Sequence, residues 1–91
     1  MRLSFARGAR ADLVDIRDWI AADRPRAARE VVARIRQTAT LLSQFPGIGR
    51  AGRVEGTREF PVTGLPYTIV YSVGDGELVV LAVVHQSRRY P

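Results

Sequence analysis

Tyr67-Thr68-Ile69-Val70-Tyr71-Ser72-Val73-Gly74-Asp75-Gly76-Glu77-Leu78-Val79-Val80-Leu81-Ala82-Val83-Val84-His85 reads as two strands and the turn between them. Tyr67 to Val73 alternates, with Tyr67, Ile69, Tyr71 and Val73 on one face and Thr68, Val70 and Ser72 on the other. Gly74-Asp75-Gly76 is a hairpin turn. Glu77 to His85 is apolar on both sides, Leu78, Val80, Ala82 and Val84 against Val79, Leu81, Val83 and His85, as a central strand requires.

Working back from this hairpin, Arg58 to Thr63 contains Pro61, which suits an edge strand or a bulge. Ile48 to Thr57 is punctuated by glycine and reads as a flexible loop, and Phe45-Pro46-Gly47 ends a helix before it. That helix starts after Asp23-Arg24-Pro25, because proline is tolerated in a first helical turn and biases Arg24 away from helical geometry. Its apolar stripe is Ala28, Val31, Val32, Ile35, Ala39 and Leu42. An earlier helix, from about Arg7 to Asp23, carries Ala9, Leu13, Ile16 and Ile20 at helical spacing, with Trp19 on the flank. Ala6 is a poor cap, which predicts a frayed first turn. Arg2-Leu3-Ser4-Phe5 forms a short first strand. The predicted order is β-α-α-β-β-β over residues 1–91 as one domain, an α+β fold in which an antiparallel sheet packs against an α-helical hairpin.

Composition narrows the function. The chain has 91 residues, no cysteine and one histidine, so disulfides, thiolate metal sites and a histidine-rich zinc site are out of reach, and neither metal nor cofactor is expected. No apolar run approaches the about 20 residues that span a bilayer. Met1 to Arg7 lacks the apolar region of a signal peptide, and a cytoplasmic location without membrane contact is expected. The net charge is +5 and every basic residue is arginine, whose planar fork suits carboxylates and phosphates. Five arginines between Arg24 and Arg36 oppose only Glu30, so an acidic protein or a nucleic acid is the expected partner.

Gly47, Gly49 and Gly52 imitate a dinucleotide-binding pattern, but they follow a helix and no helix succeeds them, so no phosphate cradle forms. The carboxylates of the first helix read as its solvated or arginine-paired edge. His85 supports two readings. Beside Arg88 and Arg89 it has the reactivity of a general acid in RNA cleavage; equally, a strand-end histidine can bond the backbone and fix the tail. Arg50, Arg53 and Arg58 are either solvated or a phosphate-contacting rim.

Ala11-Asp12-Leu13-Val14-Asp15-Ile16, Phe45-Pro46-Gly47-Ile48-Gly49-Arg50, Gly56-Thr57-Arg58-Glu59-Phe60, Pro66-Tyr67-Thr68-Ile69-Val70-Tyr71 and Val83-Val84-His85-Gln86 follow one another in an order that resembles the RelE/ParE toxin superfamily. The resemblance implies a toxin held by a cognate antitoxin in a hetero-oligomeric complex. Its RelE-like branch cleaves messenger RNA on the ribosome, and its ParE-like branch poisons DNA gyrase. RNase members typically carry arginine where this chain has Thr68, and the tail after His85 looks ParE-like, so the ParE-like branch is favoured. On that reading Arg50, Arg53 and Tyr90 contact the target. Val14, Leu41 and part of Trp19 lie off the main stripes and either contact the antitoxin, with Arg29 and Arg36, or complete the core. The alternative, a ribosome-dependent endoribonuclease, would use His85 as acid with Arg58, Arg88 and Arg89 holding the phosphate. A further alternative is a non-toxic binding module.

Overall fold

Asp75 and Gly76 both take positive φ, 53° and 72°, the conformation that lets a two-residue turn follow the twist of the strands it joins. The hairpin they close is the centre of a computed structural model that describes residues 1–88. In chain order the elements are β1 (Arg2–Phe5), α1 (Arg7–Ala21), α2 (Pro25–Gln44), β2 (Arg50–Ala51), β3 (Arg58–Pro61), β4 (Tyr67–Gly74) and β5 (Glu77–His85). The five strands form one sheet ordered β1-β5-β4-β3-β2.

Strands β2 to β5 pair antiparallel, as expected, but β1 runs parallel to β5, with Arg2 opposite Glu77 and Phe5 opposite Val80. The sheet is therefore mixed. The cause is the connection: β1 passes at Ala6 directly into the helical layer, and the chain returns to β1's side only with its last strand. The first turn of α1 lacks a side-chain cap, but it is anchored where Ala6 N–H donates to Val80 O at 2.9 Å and Ala9 is fully buried. The second departure is β2, a two-residue strand inside the segment expected to be loop.

A bulge in β5 changes which residues face the helices. Val70 pairs with Ala82 and Tyr71 with Val80, so Leu81 is the extra residue and the alternation of β5 reverses there. Leu78, Val80 and Val83 consequently all point into the core, where simple alternation would put Val83 on the opposite face from the other two. They meet Tyr67, Ile69 and Tyr71 of β4, Leu13 and Ile16 of α1, and Ile35, Ala39 and Leu42 of α2. Burying side chains of this size contributes about 1.5–3 kcal/mol each. The stripes read from the two helices are the faces they bury, Ala9, Leu13 and Ile16 on one and Ala28, Ile35, Ala39 and Leu42 on the other. Among the described residues no helix is long and apolar enough to cross a membrane.

Candidate functional site

With the helices covering one face of the sheet, the other is left to a row of side chains fixed by strand register: Arg50, Glu59, Val70 and Ala82 across β2, β3, β4 and β5, then Pro61, Thr68 and Val84 beside them. These rows, Ala82 apart, floor a groove of about 470 Å³ whose rim carries Ile48, Arg53, His85 and Arg88. The groove exists because the segment after α2 is built rather than slack. Tyr71, fully buried, sends its hydroxyl out of the core to donate to Pro46 O at 2.8 Å and accept from Gly49 N–H at 3.0 Å. A side chain at position 49 would strike the Tyr71 ring, so the glycine is there for space rather than for an unusual backbone angle. Gly52 N–H donates to Thr57 O at 2.8 Å, and Thr57 Oγ1 donates to Val54 O at 2.6 Å. The expectation of a flexible loop is corrected by these bonds.

Glu59 is the charged residue at the centre of this construction and is only 4% exposed. Its carboxylate accepts the Arg53 backbone N–H at 3.0 Å and the Arg50 guanidinium at 3.2 Å. The Arg53 N–H, with the Arg50 bond and the two positive charges behind it, outweighs burial and holds the carboxyl below the usual glutamate range. Arg50 thus stands over the groove with its side chain largely in solvent, its direction set by a buried anion.

At the end of β5, His85 meets the Tyr67 ring edge-on, with centroids 5.4 Å apart. Its Nδ1 accepts Ser87 N–H at 3.1 Å and lies 2.7 Å from Ser87 Oγ, so in the neutral ring the hydrogen sits on Nε2. Arg88 N–H donates to His85 O at 2.9 Å, closing the turn. His85 and Arg88 separate the groove from a second cleft between α1 and β5. There Asp12 Oδ2 accepts Val83 N–H at 2.9 Å, a group left without a strand partner because β1 stops opposite Val80. Asp12 is therefore a structural acceptor, a role the reading of α1's carboxylates as a solvated edge missed. The only hint in the sequence was its place in Ala11-Asp12-Leu13.

The structure brings together His85, Arg50, Arg53 and Arg88 around one groove. It does not bring Arg58 there: this residue shares the parity of Tyr71 in β3, and its Nη1 donates to Gly49 O at 2.7 Å. Arg89 and Tyr90 lie outside the described residues. Val14, Trp19 and Leu41 are exposed, Trp19 at 82%. Arg29 is exposed on α2, and the Arg36 guanidinium lies 5.3 Å above the centre of the Phe5 ring, tied to the β1 side of the sheet. Among the described residues no group of three or more His, Asp or Glu side chains is placed to hold a metal.

Residues 3–90 match the family described as the ParE toxin of the type II toxin–antitoxin system parDE. Y4kP of Sinorhizobium fredii is 34% identical over 90 residues, covering 99% of this chain and 93% of its own. Toxin RelE2 of Caulobacter vibrioides is 36% identical over 80 residues, covering 88% and 89% of the two chains. A structure of a chromosomal ParDE system from P. aeruginosa superposes with a TM-score of 0.86 at 28% identity, over 93% of this chain and 95% of that one. HP0894 from Helicobacter pylori, at 22% identity and a TM-score of 0.60 over 96% of both chains, shares the fold. With helical hairpin, sheet and groove in place across the full match, the chain belongs to the ParE family of type II toxins.

Proposed function

We propose that this toxin acts without chemistry of its own, by binding DNA gyrase, and that a cognate antitoxin silences it by covering the helical hairpin. What carries the first part is the make-up of the groove. Thr68 stands on its floor, and a threonine there offers no permanent positive charge of its own to a cleaving phosphate. Arg58 is spent on the loop carbonyls, and one nitrogen of His85 is spent on Ser87. Arg50, Arg53 and Arg88 line the groove as a charged rim suited to docking, and Tyr90 follows them in sequence. The antitoxin part is supported by Val14, Leu41 and Trp19, apolar side chains left in solvent on the two helices, and by the exposed arginines of α2, which would steer an acidic partner.

A second reading has an observation of its own. Similarity to Toxin RelE2, together with His85 lining a groove edged by three arginines, supports a ribosome-dependent endoribonuclease. Expression of the chain in cells that lack the antitoxin separates the two. Under the gyrase reading growth stops, cellular message stays intact, plasmid loses negative supercoiling, and His85→Gln arrests growth as the parent does. Message cut in its reading frames by the parent and spared by His85→Gln would replace the first reading with the second. Restoration of growth when the neighbouring reading frame is co-expressed tests the antitoxin.

A further inference from the structure

The cleft on the other side of His85, about 450 Å³ between the C-terminal half of α1 and the end of β5, runs against the charge of the chain as a whole. Asp12, Asp15 and Trp19 follow one another along one side of α1 at spacings of three and four residues, which brings them within reach of a single ligand. Tyr67 and Val83 close the cleft from the sheet. Trp19, 82% exposed, gains almost nothing from the fold, and an indole held in water on an ordered helix is the kind of anchor that interfaces use. Asp12 commits one oxygen to Val83 N–H and keeps the other. Asp15 forms no ion pair among the described residues, and Arg88, at the mouth, pairs with neither carboxylate.

We propose that this cleft takes an arginine side chain from a partner protein, its guanidinium lying on the Trp19 indole and bonding to Asp15 and the remaining oxygen of Asp12. Charge decides the occupant. A carboxylate there would face two carboxylates, and an aliphatic side chain would bury them unpaired. A guanidinium satisfies both demands, because its plane stacks on an aromatic face while its edge donates to carboxylates. This rests on the reading of the Trp19 face as antitoxin-binding and gives one of its contacts a chemistry. The partner is then acidic opposite α2 and carries at least one basic residue opposite α1.

Trp19 is the only tryptophan of the chain, so its emission reports on this cleft directly. The test titrates N-acetyl-arginine amide into the purified protein, beside the uncharged isostere N-acetyl-citrulline amide, and repeats both with Asp15→Asn. Asp15 is exposed and bonds to none of the described residues, so the variant should melt with the parent. The expected result is a saturable change in emission with the arginine compound, weakened about three- to tenfold for citrulline and by a similar factor in Asp15→Asn, as one charged, stacked contact implies. No saturable change, an equal response to citrulline, or an unaltered response in Asp15→Asn would each overturn the proposal. No antitoxin is present in this assay, so a negative result here leaves the neutralisation experiment to decide the wider reading separately.

Discussion

Replacing Gly49 by alanine probes the joint between the core and the groove. A Cβ at this position would lie 2.8 Å from Cε1 and 2.9 Å from Cζ of Tyr71, and closer still to its hydroxyl. Tyr71 is fully buried and cannot swing aside, so the loop must lift. Lifting it breaks the Gly49 N–H bond to the hydroxyl and strains the hydroxyl's bond to Pro46 O. Two hydrogen bonds at about 1 kcal/mol each, with about 1–3 kcal/mol for overpacking, bring the cost to about 3–5 kcal/mol. For a domain of this size that lowers the melting temperature by roughly 12–40 °C. Gly47→Ala is the control, because nothing lies within 4 Å of a Cβ there, and it should stay within about 0.5 kcal/mol of the parent. Tyr71→Phe leaves the buried Gly49 N–H and the partly buried Pro46 O unmatched and should cost about 1–3 kcal/mol. Because it also removes the atom nearest the new methyl, the double variant should be less damaged than the two costs added together. Urea and thermal denaturation of the parent and the four variants measure all of this. Equal midpoints for Gly49→Ala and Gly47→Ala, or strict additivity in the double variant, would refute the steric account.

Two further outcomes follow from the hydrogen-bond partners. Asp12→Ala leaves Val83 N–H without an acceptor and should lower stability by about 1–3 kcal/mol, whereas Asp12→Asn, which keeps an acceptor oxygen, should recover about half of that; urea midpoints decide. Glu59 has a folded-state pKa below the ordinary 4.5, so its contribution is present above that value and is lost as pH falls through the lower folded value. Glu59→Gln should therefore flatten the acid limb of the stability–pH curve and speed amide exchange at Arg53; an unchanged acid limb would show that the carboxylate does not organise the loop.

What could be read from the residues and what could not divide along physical lines. The helices were legible because their apolar faces repeat with the helical period, and the same wheel left Val14, Leu41 and Trp19 outside the stripes, where the structure exposes them. The bulge at Leu81 was not legible, since a strand apolar on both faces carries no alternation to be broken. Nor was the parallel course of β1, because four residues say nothing about which neighbour they join or in which direction. Arg50, Arg53, His85 and Arg88 were singled out by residue type alone, and the structure places them around one groove. Arg58 and Asp12 were misread for one reason: each is tied to backbone groups distant in sequence, Gly49 O and Val83 N–H, which only the register of the sheet brings within reach. The glycines around position 50 look like flexibility until Tyr71 is placed against them.

Supercoiling of relaxed plasmid by purified gyrase, followed as this toxin is added, reaches the central claim with the fewest intermediates. Inhibition that grows with toxin, persists in His85→Gln, weakens when Arg50 and Arg53 become glutamine, and is reversed by the antitoxin is the expected result. Supercoiling that proceeds normally at a large excess of folded toxin would contradict it.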